Sequence, residues 1–505
     1  PSATEKDFQK LGFPNLIKAS AGGGGRGMRV VRTVEEFPQA FHSARSEAER
    51  AFGDGTLLIE KYIEGARHVE VQILGDHHGN LIHLFERDCS AQRRHQKIIE
   101  ESPSPALTPD IRQSMAKAAL ALARKMDYTN AGTVEFLLAP SGEFYFIEVN
   151  TRIQVEHPVT EMTTGLDLIR LQIAIAQGKS LPAEVPQPNG HAIEARLYAE
   201  DPENGFLPST GTLRVWEPPA GVEGLRVDSG VEEGTEIGVY YDPLLAKVIV
   251  HAADRESAIN KLVYALKHFA TQGVRTNREF LINLLDSKPF RAGEIHTGSD
   301  VVAYAQGDLR EARLAQDEIF ASVLRAYIER TEHAQRRVLP SIPLRFRNNP
   351  YPGPAMKLEI EGREHQIRGA EGHVEVLHVH DSEAVALIAG LRHQFHIRRH
   401  GDEYYMRSGL GQRTVKRLPR YPHSAGAGQH QSANSPMPGQ VLRILVAQGQ
   451  RVKPGDPLIV VEAMKMEQNI IATIDGVVAA ILVKPGEIVA PGQMLVEIQS
   501  VEDAQ

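Results

Sequence analysis
Lys18 is followed by Ala-Ser-Ala and then by Gly22, Gly23, Gly24, Gly25, Arg26 and Gly27, five glycines in six positions. With no side chains to shield them, the backbone N–H groups of such a stretch can close over phosphate oxygens, and Lys18 and Arg26 add positive charge. The spacing is neither a Walker loop nor a dinucleotide-binding fingerprint. A flexible linker is the alternative, although this stretch lies between two β-branched apolar runs.

Residues 132–138 (GTVEFLL) and 143–149 (EFYFIEV) flank a turn at Ser141-Gly142. A two-residue loop there sets Glu135 directly opposite Glu148, and like charges facing each other on a sheet are destabilising unless something lies between them. Asn150 shares their face. Two carboxylates and an amide make an oxygen-rich site suited to Mg²⁺ or Mn²⁺, shared with phosphates from the glycine loop. A register slip of one residue would instead leave two solvated glutamates. If the strand continues, Arg152, Gln154 and Glu156 join the same face. That brings an anion-binding guanidinium and a candidate general base beside the metal; a salt-bridged sheet edge is the other reading.

The run Arg87-Asp88-Cys89-Ser90-Ala91-Gln92-Arg93-Arg94-His95-Gln96-Lys97 reads on its own as a basic surface turn, with Cys89 a small buried residue rather than a nucleophile. Seven histidines between His365 and His400 alternate along strand-like sequence without cysteines, the pattern of an exposed strand face rather than a zinc site.

These residues need elements to hold them. Residues 1–305 alternate helical and strand-like patterns, predicting antiparallel hairpins with covering helices. Helices are expected from a Thr33–Glu36 capping box to Gly53, from Thr108-Pro109 to about Met126, near 254–269, and near 276–285 with Thr276 as cap. A polar helix over 308–337 precedes short alternating strands through Lys416, the pattern of a helix attached to a small β-barrel. The stretch 423–434, HSAGAGQHQSAN, reads as a flexible linker. Beyond it Gly439, Gly449, Val452, Pro454, Gly455 and Leu458 recur as Gly476, Gly486, Val489, Pro491, Gly492 and Leu495, a shift of 37. Two copies of one strand-turn-strand unit make a two-fold-related all-β domain, with Lys465 between them at a hairpin tip.

The length of 505 residues fits three to four domains, and 42% hydrophobic with 24% charged residues is ordinary globular material. A net charge of −8 offers no basic excess for nucleic acid. The single Cys89 and the lack of an apolar run of ~18 residues fit a reducing compartment away from membranes: cytoplasm first, mitochondrial matrix second. The chain opens on Pro1 with neither signal peptide nor presequence, which predicts a missing start.

Taken together, KASAGGGGRGM, EKYIEGARHVE, ERDCSAQRRHQK, EFYFIEVNTRIQVEHPVTE and EARLYAEDP resemble the biotin carboxylase component of biotin-dependent carboxylases, and EAMKME resembles the biotin attachment site of its carrier domain. The layout is similar to the α subunit of an acyl-CoA carboxylase of the methylcrotonyl, propionyl or geranyl type, most like the first. The resemblance implies an α+β multidomain chain: an ATP-grasp core, a helix plus antiparallel β-barrel, and a flattened all-β biotinyl domain. The implied divisions are a partial lid subdomain at 1–64, the ATP-grasp and carboxylase C-terminal part at 65–305, a subunit-contact domain at 306–422, a linker at 423–434 and the carrier at 435–500.

Carried over residue by residue, the resemblance puts ATP phosphates at Lys18, Gly22, Gly23, Gly24, Gly25 and Gly27, adenine at Glu60, Lys61 and Ile63, and the rest of the nucleotide near His68, Gln92 and His95. Glu135, Glu148 and Asn150 would bind Mg²⁺ or Mn²⁺. Lys97, Arg152, Gln154 and Val155 would hold bicarbonate, Glu156 would deprotonate it for attack on the γ-phosphate, and Arg196 would stabilise the enolate of biotin carried on Lys465. Implied partners are a carboxyltransferase β subunit in a hetero-oligomer and a biotin protein ligase, with neither nucleic acid nor membrane. The acyl-CoA is chosen by that other chain. The family's N-terminal nucleotide-fold subdomain is missing from this sequence, so weak turnover of the chain alone is expected. A non-catalytic carrier and scaffold, an ATP-grasp ligase making amides and a lipoyl carrier are the competing readings; the methionines flanking Lys465 favour biotin.

Overall fold
The computed structural model describes residues 11–21, 28–182, 184–306, 309–334, 355–368, 374–419, 431–464 and 466–500. Gly22, Gly23, Gly24, Gly25, Gly27 and Lys465 therefore lie outside the described residues, as do 423–430 of the expected linker.

A small lobe comes first. Asn15–Ala19 pairs antiparallel with Arg29–Val31 on one side and Leu57–Lys61 on the other, and helix Phe37–Phe52 packs on this sheet through Phe37, Ala44 and Ala48. The helix starts three residues later than the Thr33–Glu36 capping box predicts. Pro38 has no N–H and is tolerated only in a first turn, which fixes the start near Phe37. Glu36 instead accepts a hydrogen bond from the Arg32 N–H at 2.9 Å. Gly53, at φ +70°, ends the helix in the left-handed region.

Eight antiparallel strands then form one sheet, in spatial order Leu225–Ser229, Leu244–Ala252, His191–Tyr198, Gln96–Ser102, Leu81–Arg93, Arg67–Gly75, Asn130–Leu138 and Phe144–Asn150. Helix Pro109–Lys125, capped by Thr108 as predicted, covers Val69, Val71, Val134 and Phe136. Helices Arg255–His268 and Arg278–Asp286 close the other end over Ile193, Leu197, Val248 and Val250. The second is preceded by Asn277, not capped by Thr276. The Asn277 side chain accepts from Tyr198 N–H (2.8 Å) and donates to the Arg196 carbonyl (3.0 Å), tying the helix to the strand that carries Arg196.

Helix Leu309–Ala334 is wrapped by a seven-stranded antiparallel sheet running from Met356–Ile360 to Gly411–Arg417. Phe320, Leu324 and Ile328 on the helix meet Leu358, Phe395 and Val415 of the sheet. The helix lies between the edge strands Arg363–Ile367 and Val374–His380, so it, rather than a ladder, closes the expected barrel. This unit sits on the part that carries the eight-stranded sheet: Gln272 donates to the Arg413 carbonyl (2.9 Å) and Gln412 to that of Phe269 (2.6 Å).

The C-terminal unit is a sandwich of two four-stranded sheets. Its strands repeat at the 37-residue shift, Gly439–Ile444 with Gly476–Ile481, Arg451–Val452 with Ile488–Val489, and Pro457–Ala463 with Met494–Ser500. Each half lends a strand to the other: Gly439 pairs with Val489 and Val452 with Gly476. A Cβ on Gly439 or Gly476 would lie 2.6 Å from the Glu462 carbonyl or 2.4 Å from that of Gln499, so the backbones approach too closely for any side chain. The expected linker is shorter than predicted, since Gln431–Asn434 pairs with the last strand. Its polar composition conceals an edge strand that is the repeat counterpart of residues 468–471.

Candidate functional site
The carboxylates line up across the large sheet. Arg87 faces Glu70, Glu70 faces Glu135, and Glu135 faces Glu148, one row over four strands. The Glu135–Glu148 pairing is the predicted one, reached by a different route. The loop has three residues, Pro140 to Gly142, because Ala139 N–H bonds to the Glu143 carbonyl, and a bulge between Glu135 and Phe136 restores the register. Asn150 donates to Glu135 at 2.9 Å and lies 3.5 Å from Glu148.

Burial alone would keep Glu70 and Glu135 neutral, and their partners prevent it. Lys97 stands among Glu70 (2.6 Å), Glu135 (3.2 Å) and Glu156 (2.5 Å). Burial opposes the charge on Glu70, but Lys97 and then Arg87 outweigh it and bring the group down to about 2. Burial opposes Glu135 likewise, and His68, Lys97 and Gln154 bring it to about 2. Lys97 loses from burial and gains more from its acidic neighbours, so it holds its proton well beyond the ordinary lysine range. His68, Glu70 and Glu135, and separately Glu70, Cys89 and Glu156, lie within metal-ligand reach of one another. Lys97 already supplies the cation there, and burial pushes the Cys89 thiol well up, so neither group suits a metal ion.

The donor set Glu135, Glu148 and Asn150 does suit one. Two carboxylates and an amide oxygen are hard ligands of the kind Mg²⁺ or Mn²⁺ takes, and Glu148 is exposed on the open side of the sheet.

The strand does not continue past Asn150 as predicted. Pro158 sits in the first turn of helix His157–Thr164, so the chain must turn beforehand. That turn still delivers two of the three side chains: Gln154 donates to Glu135 (2.8 Å), and Glu156 bridges Lys97 and Arg196 (2.5 and 3.0 Å). Arg152 is exposed and donates only to the Ile153 carbonyl among the described residues. The Val155 carbonyl accepts from Lys247 at 2.9 Å.

Of the residues expected at the nucleotide, Gln92 donates to His68 Nδ1 (2.7 Å), leaving Nε2 to donate to Glu135 (2.9 Å). His95 is exposed at the tip of a two-residue turn with Arg94, both at positive φ, outside that network. Lys18 pairs with Glu60 at 2.7 Å within the small lobe; Lys61 is exposed and Ile63 half-buried. Among the described residues no hydrogen bond or ion pair joins Lys18, Glu60, Lys61 or Ile63 to the carboxylate row.

Several residues escaped sequence reasoning. Arg87, read as part of a surface turn, is wholly buried and donates to Glu70 (2.6 Å), Gln72 (2.7 Å), Gln154 (3.0 Å), Thr160 (3.1 Å) and Thr133 (3.2 Å). Glu70, Glu100 and Glu194 are equally buried. The available clue was charge on strands too apolar for a solvent face, as in Val69-Glu70-Val71-Gln72-Ile73.

Residues 3–184 match the carbamoyl-phosphate synthase L chain ATP-binding domain, 194–299 the biotin carboxylase C-terminal domain, and 431–498 the biotin-requiring enzyme domain. The α subunit of rat mitochondrial methylcrotonoyl-CoA carboxylase is 39% identical over 503 residues, covering 92% of this chain and 69% of that protein. The chain belongs to the biotin-dependent carboxylase α subunits. The Caenorhabditis elegans mitochondrial propionyl-CoA carboxylase α chain is 36% identical, covering 92% and 70%. Among solved structures, the biotin carboxylase domain of Hydrogenobacter thermophilus 2-oxoglutarate carboxylase, bound to MgADP, ADP and bicarbonate, is similar at 48% identity with a TM-score of 0.56, covering 58% of this chain and 65% of that one. The chain thus spans about two thirds of the length of these relatives.

Proposed function
We propose that this subunit uses ATP and bicarbonate to carboxylate biotin attached to Lys465, as the α subunit of an acyl-CoA carboxylase most like the methylcrotonyl type. The observation that carries the reading is Glu156, a carboxylate held between Lys97 and Arg196 beside the Glu135, Glu148 and Asn150 donor set.

Bicarbonate lies on Lys97, Gln154 and the Val155 backbone, with Arg152 turning in from solvent. Glu156 takes its proton, because bicarbonate is a poor nucleophile while it keeps it. The freed oxygen bonds to the γ-phosphorus of ATP as the bond to the β-phosphate oxygen breaks, leaving ADP and carboxyphosphate. Lys18 and Gly22, Gly23, Gly24, Gly25 and Gly27 hold the phosphates, Glu60, Lys61 and Ile63 the adenine, and His68, Gln92 and His95 the remainder. Glu135, Glu148 and Asn150 would hold the divalent cation, which when bound withdraws charge from the phosphate oxygens. Biotin supplies the ureido nitrogen that takes up the carboxyl group as carboxyphosphate breaks down to CO₂ and phosphate, and the phosphate takes the nitrogen's proton. Arg196 is the cation placed for negative charge developing on the oxygen beside that nitrogen.

The carrier lies against the carboxylase part. Met464 N–H, next to Lys465, donates to the Val239 carbonyl at 3.1 Å, and Leu207 and Val239 pack on the carrier core. The Val239 loop runs into strand Leu244–Ala252, where Lys247 is the cross-strand partner of Arg196. A carboxyltransferase β subunit completes the reaction, a biotin protein ligase modifies Lys465, and the cytoplasm is the working compartment, with the matrix of the mitochondrial relatives as the alternative.

Transfer of label from [¹⁴C]bicarbonate to the chain tests this. In the holoenzyme with ATP and Mg²⁺, Glu156→Gln should lower acid-labile label at least ~100-fold while leaving the mass of the biotinylated chain unchanged, and Lys465→Ala should abolish both biotin and label. Wild-type labelling in Glu156→Gln would take the base role from Glu156, and biotin without label in the unmutated chain would leave it a carrier only.

A further inference from the structure
We propose that Glu194 and Glu100 hold one proton between them behind Arg196, and that Glu194, as the neutral acid, positions Glu100 on the guanidinium. The shared proton stands on geometry alone; its influence on turnover rests on the role proposed for Arg196.

Glu100, on strand Gln96–Ser102, and Glu194, on strand His191–Tyr198, are direct cross-strand partners. Both are completely buried. On its other side Glu194 faces Ile249, so no cation lies opposite. Arg196, two residues along the same face, gives its donors to Glu100 Oε1 (Nε at 2.6 Å, Nη2 at 2.5 Å) and to Glu156 Oε2 (3.0 Å). Three oxygens remain without any hydrogen-bond partner among the described residues: Glu100 Oε2 and both carboxyl oxygens of Glu194.

Two adjacent carboxylates in that position would repel each other and leave unsatisfied charge in a dry interior, a cost that proteins meet by protonation. One proton removes both problems. Carried on Glu194, it turns an acceptor-only group into a donor, and the free Oε2 of Glu100 is the acceptor across the ladder. The other groups facing the pair are already engaged. Lys247 holds Asp228 (3.1 Å) and the Val155 carbonyl (2.9 Å), Lys97 holds Glu70, Glu135 and Glu156, and from the neighbouring helix His157 hydrogen-bonds the Gln154 carbonyl (2.8 Å). Tyr198 lies further along the same strand. Burial, and then Glu100, push Glu194 well above the carboxylate range; burial also raises Glu100 to about 7 against the pull of Arg196.

The consequence falls on Arg196. With its second oxygen bonded to an acid, Glu100 shares its charge and is fixed in one orientation, so the guanidinium is aimed at Glu156 and the reacting oxygen rather than neutralised from behind. The arrangement resembles a carboxylate pair with one proton, used here to position a cation and not to attack substrate.

Infrared difference spectroscopy of the full 505-residue chain at neutral pH reads the proton directly. Wild type should show a deuterium-sensitive carbonyl band of a protonated carboxylic acid that is missing in Glu194→Gln; no such band, or an unchanged one in the variant, overturns the proposal. In the holoenzyme, Glu194→Gln can still donate to Glu100 and should keep bicarbonate-dependent ATP cleavage within about threefold of wild type and lose an alkaline limb of the kcat profile. Glu194→Ala should lower kcat about tenfold with KM for ATP unchanged. Equal losses in both variants, or identical pH profiles in Gln and wild type, contradict it. A holoenzyme with no bicarbonate-dependent cleavage would refute the carboxylase reading, and the infrared band would still decide the proton.

Discussion

The eight-stranded sheet and the carrier sandwich are both antiparallel, but they bury different things. The sheet holds Glu70, Arg87, Lys97, Glu100, Glu135, Glu156, Glu194 and Arg196 out of water or nearly so. The carrier interior is Val441, Leu458, Val461, Leu495, Val496 and their like, and Ser435 is its one buried polar residue among those described. A desolvated charge cluster is costly and stands because its cations and anions are paired, or at Glu194 neutralised by the proposed proton, and the pairing also holds its members in place. The carrier needs no such cluster. Its strands Pro457–Ala463 and Met466–Ile471 form a hairpin that turns at Met464, whose φ of +47° marks a tight turn, and the rest of the domain only has to hold that turn out.

The contrast is open to direct attack. Arg87→Leu strips five hydrogen bonds from the centre of the sheet and leaves Glu70 short of a cation, so the carboxylase transition in calorimetry should lose about 3–5 kcal/mol with the carrier transition unmoved. Leu495→Ala should do the reverse, taking about 2–5 kcal/mol from the carrier alone. If either substitution shifts both transitions equally, the two regions are not energetically separate.

Acid and base should also act on one region only. Glu70 and Glu135 have folded pKa values of about 2, below the unfolded value of about 4.3. Their stabilisation is complete above about 4.3 and disappears as pH falls toward 2. Glu100 and Glu200, raised to about 7 chiefly by burial, act with the opposite sign: their contribution is present below about 4.3 and lost as pH rises through 7. Urea midpoints measured from pH 3 to 9 should peak between these limits for the sheet and stay flat for the carrier. Smallest of all, Arg443→Ala removes an exposed carrier ion pair of 3.5 Å to Glu467 and should leave both melting temperatures within scatter.

Sequence reasoning reached these regions unequally, for physical reasons. The 37-residue repeat and its glycines are local patterns, and they translate directly into strands and turns. The Glu135–Glu148 pair was also legible, because a hairpin register follows from its turn, although a three-residue loop and a bulge offset one another to produce it. Glu70, Arg87, Glu100 and Glu194 were not legible. Glu135 and Glu194 reach Glu70 and Glu100 from strands far apart in sequence, a bulge between Val71 and Ile73 shifts the hairpin that pairs Glu70 with Arg87, and the alternation around Glu70 looks the same whether its polar face meets water or a buried cation. Gln154 and Glu156 reach the site from a turn rather than a strand, since Pro158 decides the local structure and not the alternation that drew attention to them.

The central claim is that Glu156 readies bicarbonate to attack ATP, and the oxygen atoms keep a record of that step. With [¹⁸O]bicarbonate, ATP and Mg²⁺ in unlabelled water, the holoenzyme should release inorganic phosphate carrying one ¹⁸O atom per molecule. Phosphate free of label would mean that water, not bicarbonate, meets the γ-phosphorus, and would contradict the account.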